Sequence, residues 1–244
     1  MKRSMKELRE LCRKDYYSWF SVMMHHLMLY ITRPLLRTNI TPNQITTFWL
    51  LMQLAAAVLM VFGEYKYNVI GVLLFTGAAL LDYVDGQIAR IKKIKSYMGI
   101  FLEELGLYFG SPLFLIGLGI GTTFAFNNYI FFLLGIISAV CILYSQLAIT
   151  DPFYYPPEFR ENVLALRGKL TTRTKDKKLA SIFLIFRRSN PLNLLTLLLL
   201  FNLPHLVLFI YTPLYVLKML RVLYVQLKGL HRLDQQLRSE HEKK

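Results

Sequence analysis

The chain has 244 residues, of which 55% are hydrophobic and only 18% are charged. Water-soluble domains have about 45–50% apolar and about 25% charged residues, so this composition excludes an ordinary soluble globular protein. The net charge of +14 does not indicate a nucleic-acid-binding protein, because no basic stripe with interleaved aromatic residues forms a domain of its own. Long apolar blocks instead predict an all-α, polytopic membrane protein.

Residues 1–37 predict a single amphipathic helix. Apolar residues from Leu8 to Ile31 recur at alternating steps of three and four, and the remaining faces carry lysine and arginine. A basic helix of this kind lies in the plane of a membrane, with its apolar face in the lipid. We therefore expect an interfacial helix before the first membrane crossing.

Residues 38–230 predict a domain of six transmembrane helices, followed by a polar tail at residues 231–244 that we expect to fray. The first span opens at Thr41 and Pro42, because threonine caps helices and proline suits their first turn. The fifth span follows a long polar insert and begins near Ala180 or Asn190. The spans cover about residues 43–62, 67–90, 97–125, 129–150, 180 or 190 to 204, and 205–227.

Basic residues are concentrated in segments that six crossings would place on one side of the membrane. These segments are the N-terminus, residues 91–96, residues 151–188 and the tail. Lysine and arginine are enriched on the cytoplasmic side of membrane helices. The sequence therefore predicts that both termini are cytoplasmic. We expect a prokaryotic plasma membrane, and the endoplasmic reticulum is the alternative.

The stretch "LLDYVDGQIAR" places Asp82 and Asp85 near the end of the second predicted span. Ionisable residues at this depth are costly and commonly mark function. The two aspartates share a helix face, and Glu103 enters from the start of the next helix. Clustered carboxylates repel each other unless a cation lies between them, and oxygen ligands suit Mg²⁺ or Mn²⁺. Asp82, Asp85 and Glu103 are therefore predicted metal ligands.

The segment "DYVDGQIARIKKIKSYMGIFLE" resembles the signature of the CDP-alcohol phosphatidyltransferases, D-x2-D-G-x2-A-R-x8-G-x3-D-x3-D. "ITPNQIT" at Ile40–Thr46 also resembles the segment that opens the first membrane helix in that family. The signature positions that match are Asp82, Asp85, Gly86, Ala89, Arg90 and Gly99.

The resemblance implies an enzyme that moves a phosphatidyl or other phospho-alcohol group from a CDP-linked donor to an alcohol acceptor. CMP is released, and the reaction belongs to phospholipid biosynthesis. The resemblance implies Mg²⁺ or Mn²⁺ on the three predicted ligands, and nucleotide contacts from Asp82, Gly86, Ala89 and Arg90. It also implies a homodimer in contact with membrane lipids.

Two positions depart from the family pattern. The third acid is Glu103, and the fourth position, which the family assigns to the general base, is Leu107. Because leucine cannot accept a proton, Glu104 is considered as a candidate for the base, and its alternative interpretation is a charge at the membrane interface that reaches water. An alternative interpretation is a catalytically lapsed relative that binds nucleotide or lipid as a partner or regulator.

Arg187 and Arg188, near the start of the predicted fifth span, are candidates for binding the acceptor or a lipid phosphate. Their alternative interpretation is ordinary anchoring of a membrane helix. A small transporter is a third hypothesis for the chain. It is disfavoured because the carboxylates lie at one end of the helices rather than at the membrane midplane.

Overall fold

The computed structural model describes residues 4–12, 19–150 and 193–241. Within these ranges the chain is helical and contains no strand, which confirms the predicted all-α class. The helices are α1 Met5–Leu11, α2 Trp19–Leu35, α3 Pro42–Val61, α4 Tyr65–Lys92, α5 Tyr97–Leu105, α6 Ser111–Phe126, α7 Ile130–Thr150, α8 Leu194–Leu200 and α9 Pro204–His241. A π-helical segment, Gly106–Gly110, joins α5 to α6.

Five helices in the described ranges are long and apolar enough to cross a membrane: α3, α4, the continuous α5–α6 helix, α7 and α9. The first four predicted spans agree with these helices to within two residues at each end. The predicted fifth span is represented by the seven residues of α8, and its start lies outside the described residues. The sixth crossing therefore stays a prediction.

The N-terminal helices and the C-terminal tail are the two regions outside the predicted transmembrane domain. The predicted interfacial helix is represented by α1 and α2, with residues 13–18 outside the described ranges, and its position at a membrane surface stays a prediction. The expectation that the tail frays is wrong up to His241, because α9 continues through it. This segment lacks proline and glycine and is rich in the good helix formers leucine, glutamine and arginine.

The membrane helices pack around two clusters of buried residues. The larger cluster joins α3, α4 and α6 to α7, α8 and α9, and includes Phe75 stacked on Phe114 with ring centroids 4.3 Å apart. Close approach of α3 and α6 requires glycine, since a Cβ on Gly117 would lie 2.2 Å from the Ala57 carbonyl oxygen. The smaller cluster joins α2, α3 and α4, and it supports the end of α4 that carries the two aspartates.

Candidate active site

Hydrogen bonds tie together the ends of α3, α4 and α5, where the signature residues lie. The predicted cap is present, since the Thr41 hydroxyl accepts from the Gln44 backbone amide. Lys92 at the end of α4 donates to the carbonyl oxygen of Ile40 at 3.0 Å. Asn43 on α3 donates at 3.0 Å to Ser96, whose hydroxyl caps α5. These bonds fix the relative positions of the three helices around the site.

Asp85 is the most tightly held carboxylate of the site. It lies on α4 with 9% of its surface exposed. Its Oδ2 atom accepts a hydrogen bond from the Thr46 hydroxyl at 2.7 Å and another from the Trp49 indole N–H at 2.7 Å. Thr46 and Trp49 are three residues apart on α3, so they face the same neighbour. The carboxylate is thus positioned by a neighbouring helix as well as by its own.

The Trp49 ring extends this connection to the next membrane helix. A Cβ on Gly106 would lie only 2.2 Å and 2.3 Å from Cη2 and Cζ3 of Trp49, so the ring occupies the space that a side chain at Gly106 would fill. Gly106 is the first residue of the π-helical segment. Single π turns inside α-helices often occur at functional sites. Trp49 therefore links Asp85 to the helix that carries Glu103 and Leu107.

The other predicted acids lie around Asp85 with different exposure. Asp82 and Glu103 are exposed, whereas Glu104 is half-buried. Glu103 lies within electrostatic range of Asp85, and the sharing of a metal ion by these two carboxylates stays a prediction. Leu107 is 38% exposed at the position that the family assigns to the base. Glu104 as a general base stays a prediction.

The carboxylates fit a divalent cation only in part. In the described portion of the chain, no three histidine, cysteine, aspartate or glutamate side chains are arranged to hold a metal ion. Mg²⁺ commonly binds to one or two carboxylates and completes its coordination with water and substrate phosphates. Binding of such an ion by Asp82, Asp85 and Glu103 stays a prediction. A preformed site made only of protein ligands is not present among these residues.

The predicted nucleotide groove combines bare backbone with a cation. A Cβ on Gly86 would lie 3.2 Å from a terminal nitrogen of the Arg90 guanidinium, so that group lies over Gly86. Within the described residues, the Nε atom of Arg90 is buried and has no hydrogen-bond partner. Ala89 beside it is half-buried and adds little bulk. A guanidinium in this position, above backbone that carries no side chain, is suited to binding the phosphate of a ligand.

The N-terminal helices pack against the other side of this stretch of α4. Gln87 accepts from the Thr32 hydroxyl at 2.5 Å and donates to the His25 carbonyl oxygen at 2.7 Å. Cys12 lies against the Gln87 carbonyl oxygen, with its sulfur 3.7 Å away. Burial raises the pKa of the Cys12 thiol, although the nearby Arg90 guanidinium opposes the shift. The N-terminal helices therefore support the segment that carries Gly86 and Arg90.

Sequence reasoning missed Thr46, Trp49 and Gln87 as parts of this site. A signal was present for the first two, because both carry polar hydrogens and lie three residues apart, which places them on one face of α3. Nothing in the sequence pairs them with Asp85, which is 36 residues beyond Trp49. The predicted acceptor or lipid-phosphate residues Arg187 and Arg188 lie outside the described residues.

Comparison with known proteins gives one family. The sequence model of a family described as CDP-alcohol phosphatidyltransferase matches residues 39–227, which include every described residue of the candidate site except those of the N-terminal helices. No curated protein matches the chain.

Proposed function

The chain belongs to the CDP-alcohol phosphatidyltransferase family, and we propose that it is an active transferase. The family implies transfer of a phospho-alcohol group from a CDP-alcohol in lipid synthesis. The apolar helices and the family together identify the chain as an integral membrane protein. For this chain we propose a CDP-linked lipid or alcohol donor, an alcohol acceptor and release of CMP.

The observation that carries this proposal is the pairing of a fixed carboxylate with a half-buried cation at one end of α4. Asp85 is held through Oδ2, while Arg90 lies over the bare backbone of Gly86 one turn further along. The Arg90 guanidinium would bind a phosphate of the donor, and Gly86 and Ala89 would leave room for the nucleotide beside it. Holding the donor in one orientation is a main source of rate enhancement in phosphoryl transfer.

Members of this family generally use a divalent metal. In this chain Asp82, Asp85 and Glu103 would hold Mg²⁺ or Mn²⁺. When bound, such an ion neutralises charge on the transferring phosphoryl group. The chain's own contribution is to keep the Asp85 carboxylate in a fixed position, since two hydrogen bonds from α3 oppose its rotation.

The acceptor hydroxyl must lose a proton, and Leu107 cannot take it. We propose Glu104, which is half-buried one residue beyond Glu103, as the group that accepts this proton. The second candidate function is a catalytically lapsed relative that binds nucleotide or lipid as a partner or regulator. The exposed Leu107 side chain at the base position favours this alternative.

The orientation and assembly of the enzyme are also proposals. The basic residues at the end of α4, including Lys92 and the following Lys93, adjoin the candidate site, which supports a cytoplasmic active site with both termini on the same side. A prokaryotic plasma membrane and a homodimer remain our expectations. Arg187 and Arg188 are proposed to bind the acceptor or a lipid phosphate.

The experiment that tests the function is binding of CDP and CMP to the purified protein, first with Mg²⁺ or Mn²⁺ and then with a chelator. We expect binding that depends on the metal and is abolished by Asp85→Asn. The matched control is Glu64→Gln, because Glu64 is an exposed acid at the opposite end of α4 that pairs with Lys66. Unchanged binding in Asp85→Asn would contradict the site, and absence of binding in the natural chain would contradict the proposed function.

A further inference from the structure

The N-terminal helices lie outside the part of the chain that matches the family, yet they contact the predicted nucleotide segment. The family match begins at residue 39, after the end of α2. Cys12, the C-cap residue of α1, is completely buried, and its sulfur lies 3.7 Å from the Gln87 carbonyl oxygen. A segment outside the family match therefore contacts α4 between the signature residues Gly86 and Arg90.

The guanidinium of Arg90 has a neighbour on each of two sides. On one side is the bare backbone of Gly86, where a Cβ would lie 3.2 Å from one terminal nitrogen and 3.5 Å from the other. On the other side the guanidinium interacts with the Cys12 side chain. In the part of the chain that the structure describes, no carboxylate forms an ion pair with Arg90.

A thiol can confine an arginine without neutralising it. Sulfur is a weak hydrogen-bond acceptor, and burial raises the pKa of Cys12, so the thiol stays protonated and uncharged at neutral pH. A carboxylate in its place would form a strong, charge-assisted bond with the guanidinium and would compete with a phosphate. Cys12 therefore limits where the guanidinium can lie and leaves its charge available to a ligand.

The position of the Cys12 sulfur is fixed by apolar packing. Cys12 forms one buried cluster with Leu8 on α1, Leu29 on α2 and Ile91 on α4. Leu8 is 1% exposed and lies one helical turn before Cys12, so both side chains face α4. Because Ile91 directly follows Arg90, this cluster holds the sulfur in a defined place beside the guanidinium.

We propose that Cys12 is a positioning residue for Arg90, so that α1 forms part of the nucleotide site. Arg90 would contact a phosphate of the nucleotide, and Cys12 would act only through Arg90. The inference rests on the proposed function, because it takes a nucleotide phosphate as the ligand of Arg90.

Binding of CMP to four proteins tests the inference: the natural chain, Cys12→Ala, Arg90→Gln and the double variant. The affinities are measured by calorimetry in one buffer that contains Mg²⁺. We expect Cys12→Ala to weaken CMP binding by about 3- to 10-fold in the natural chain. In the Arg90→Gln protein the same change should alter binding by less than about twofold, because the group through which Cys12 acts is gone.

Cytidine separates positioning of Arg90 from a general effect on the fold. It lacks the phosphate, so Cys12→Ala should leave its affinity, measured by competition with CMP, unchanged. Cys141→Ala is the matched control for CMP binding, since Cys141 is the other cysteine of the chain and is also buried, but lies on α7. We expect this control to bind CMP as the natural chain does.

Each contrary outcome has one meaning. Unchanged CMP binding in Cys12→Ala, or equal weakening with and without Arg90, would overturn the inference and leave the proposed function standing. Weaker binding of cytidine to the same degree as CMP would overturn it in the same way. Absence of CMP binding to the natural chain would instead contradict the proposed function and the inference that rests on it.

A second variant tests the inference without changing Cys12. Leu8→Asp places a charge in the buried cluster and should detach α1, so we expect it to weaken CMP binding at least as much as Cys12→Ala. Leu11→Asp is its matched control, because Leu11 lies on the same helix and is 42% exposed. Unchanged CMP binding in a Leu8→Asp chain whose Cys12 has become reactive would overturn the inference.

Discussion

The Thr32 hydroxyl on α2 donates a hydrogen bond of 2.5 Å to the side-chain oxygen of Gln87 on α4. Gln87 is completely buried and lies between the two signature residues Gly86 and Arg90. Its amide nitrogen also bonds to the His25 carbonyl oxygen, so both ends of the amide are used. The N-terminal helices are therefore attached to the segment of α4 that we propose binds the nucleotide.

Replacing Gln87 tests this attachment. Gln87→Ala removes both hydrogen bonds and leaves a small cavity, and we expect it to lower the free energy of unfolding by about 1–3 kcal/mol. We also expect faster hydrogen exchange across α2, measured by mass spectrometry. The control Thr32→Val removes only one of the two bonds and should have the smaller effect. Unchanged exchange in α2 for Gln87→Ala would show that other contacts hold these helices.

The contact between Trp49 and Gly106 makes a second prediction. Gly106→Ala would place a Cβ about 2 Å from the Trp49 ring, and overpacking of this kind costs about 1–3 kcal/mol. Displacement of the ring would also weaken its hydrogen bond to Asp85. We expect lower stability and weaker CDP binding, measured by denaturant unfolding and by calorimetry.

The controls separate this contact from a general effect of alanine in a membrane helix. Gly77→Ala meets only the flexible end of Met52 at 3.1 Å and should be tolerated. Trp49→Phe removes the distal ring atoms that contact the new Cβ, so the double variant with Gly106→Ala should be less destabilised than the sum of the single changes. Additive effects would show that the two residues are not coupled.

The sequence was sufficient to predict the helices because their signals are local. Apolar length predicted four spans, and Thr41 with Pro42 predicted the start of α3. The short turn between α4 and α5 was also predictable, since basic and polar residues separate the two apolar runs. The bonds from Trp49 and Gln87 were not predictable, because each joins residues of different helices. Their partners depend on helix rotation, which sequence spacing alone does not determine.

Cys12 provides a chemical test of the docking of α1. Its thiol is buried, and burial raises its pKa above the ordinary value of 9.0. Because the thiolate is the reactive form, we expect N-ethylmaleimide to label Cys12 at pH 8 at least roughly 100-fold more slowly in the native chain than after unfolding. Cys141→Ala leaves Cys12 as the only thiol. Equal labelling rates in the two states would contradict the docking.

Undocking α1 should remove this protection. Leu8 is 1% exposed in the same cluster as Cys12, whereas Leu11 is 42% exposed. Leu8→Asp is therefore expected to accelerate labelling, and the matched change Leu11→Asp to leave it slow. The raised pKa of Cys12 also sets the sign of its contribution to the pH dependence of stability. Below about pH 9 the thiol is protonated in both the folded and the unfolded chain, so Cys12 has no effect on the free energy of unfolding. Above that pH the thiol ionises in the unfolded chain first, so the free energy of unfolding decreases.

Turnover by a Leu107→Asp variant distinguishes an active enzyme from a lapsed one. A general base contributes about 10²–10⁴-fold, so an acid restored at Leu107 should raise a lapsed activity by roughly 10²-fold or more. The assay is release of CMP from CDP-diacylglycerol with a mixture of alcohol acceptors. Leu107→Asn is the matched control, because it has nearly the same shape as aspartate but accepts no proton at neutral pH.

Turnover by the natural chain and by the Leu107 variants also identifies the general base. If Asp raises turnover and Asn does not, the natural chain has a lapsed site and the regulatory alternative gains support. If the natural chain already turns over, Glu104→Gln should reduce its rate by roughly 10²-fold, because Glu104 is the half-buried acid nearest to Leu107 along the helix. An active chain that tolerates Glu104→Gln would exclude Glu104 as the base. The proton would then have to pass to another group near Asp85.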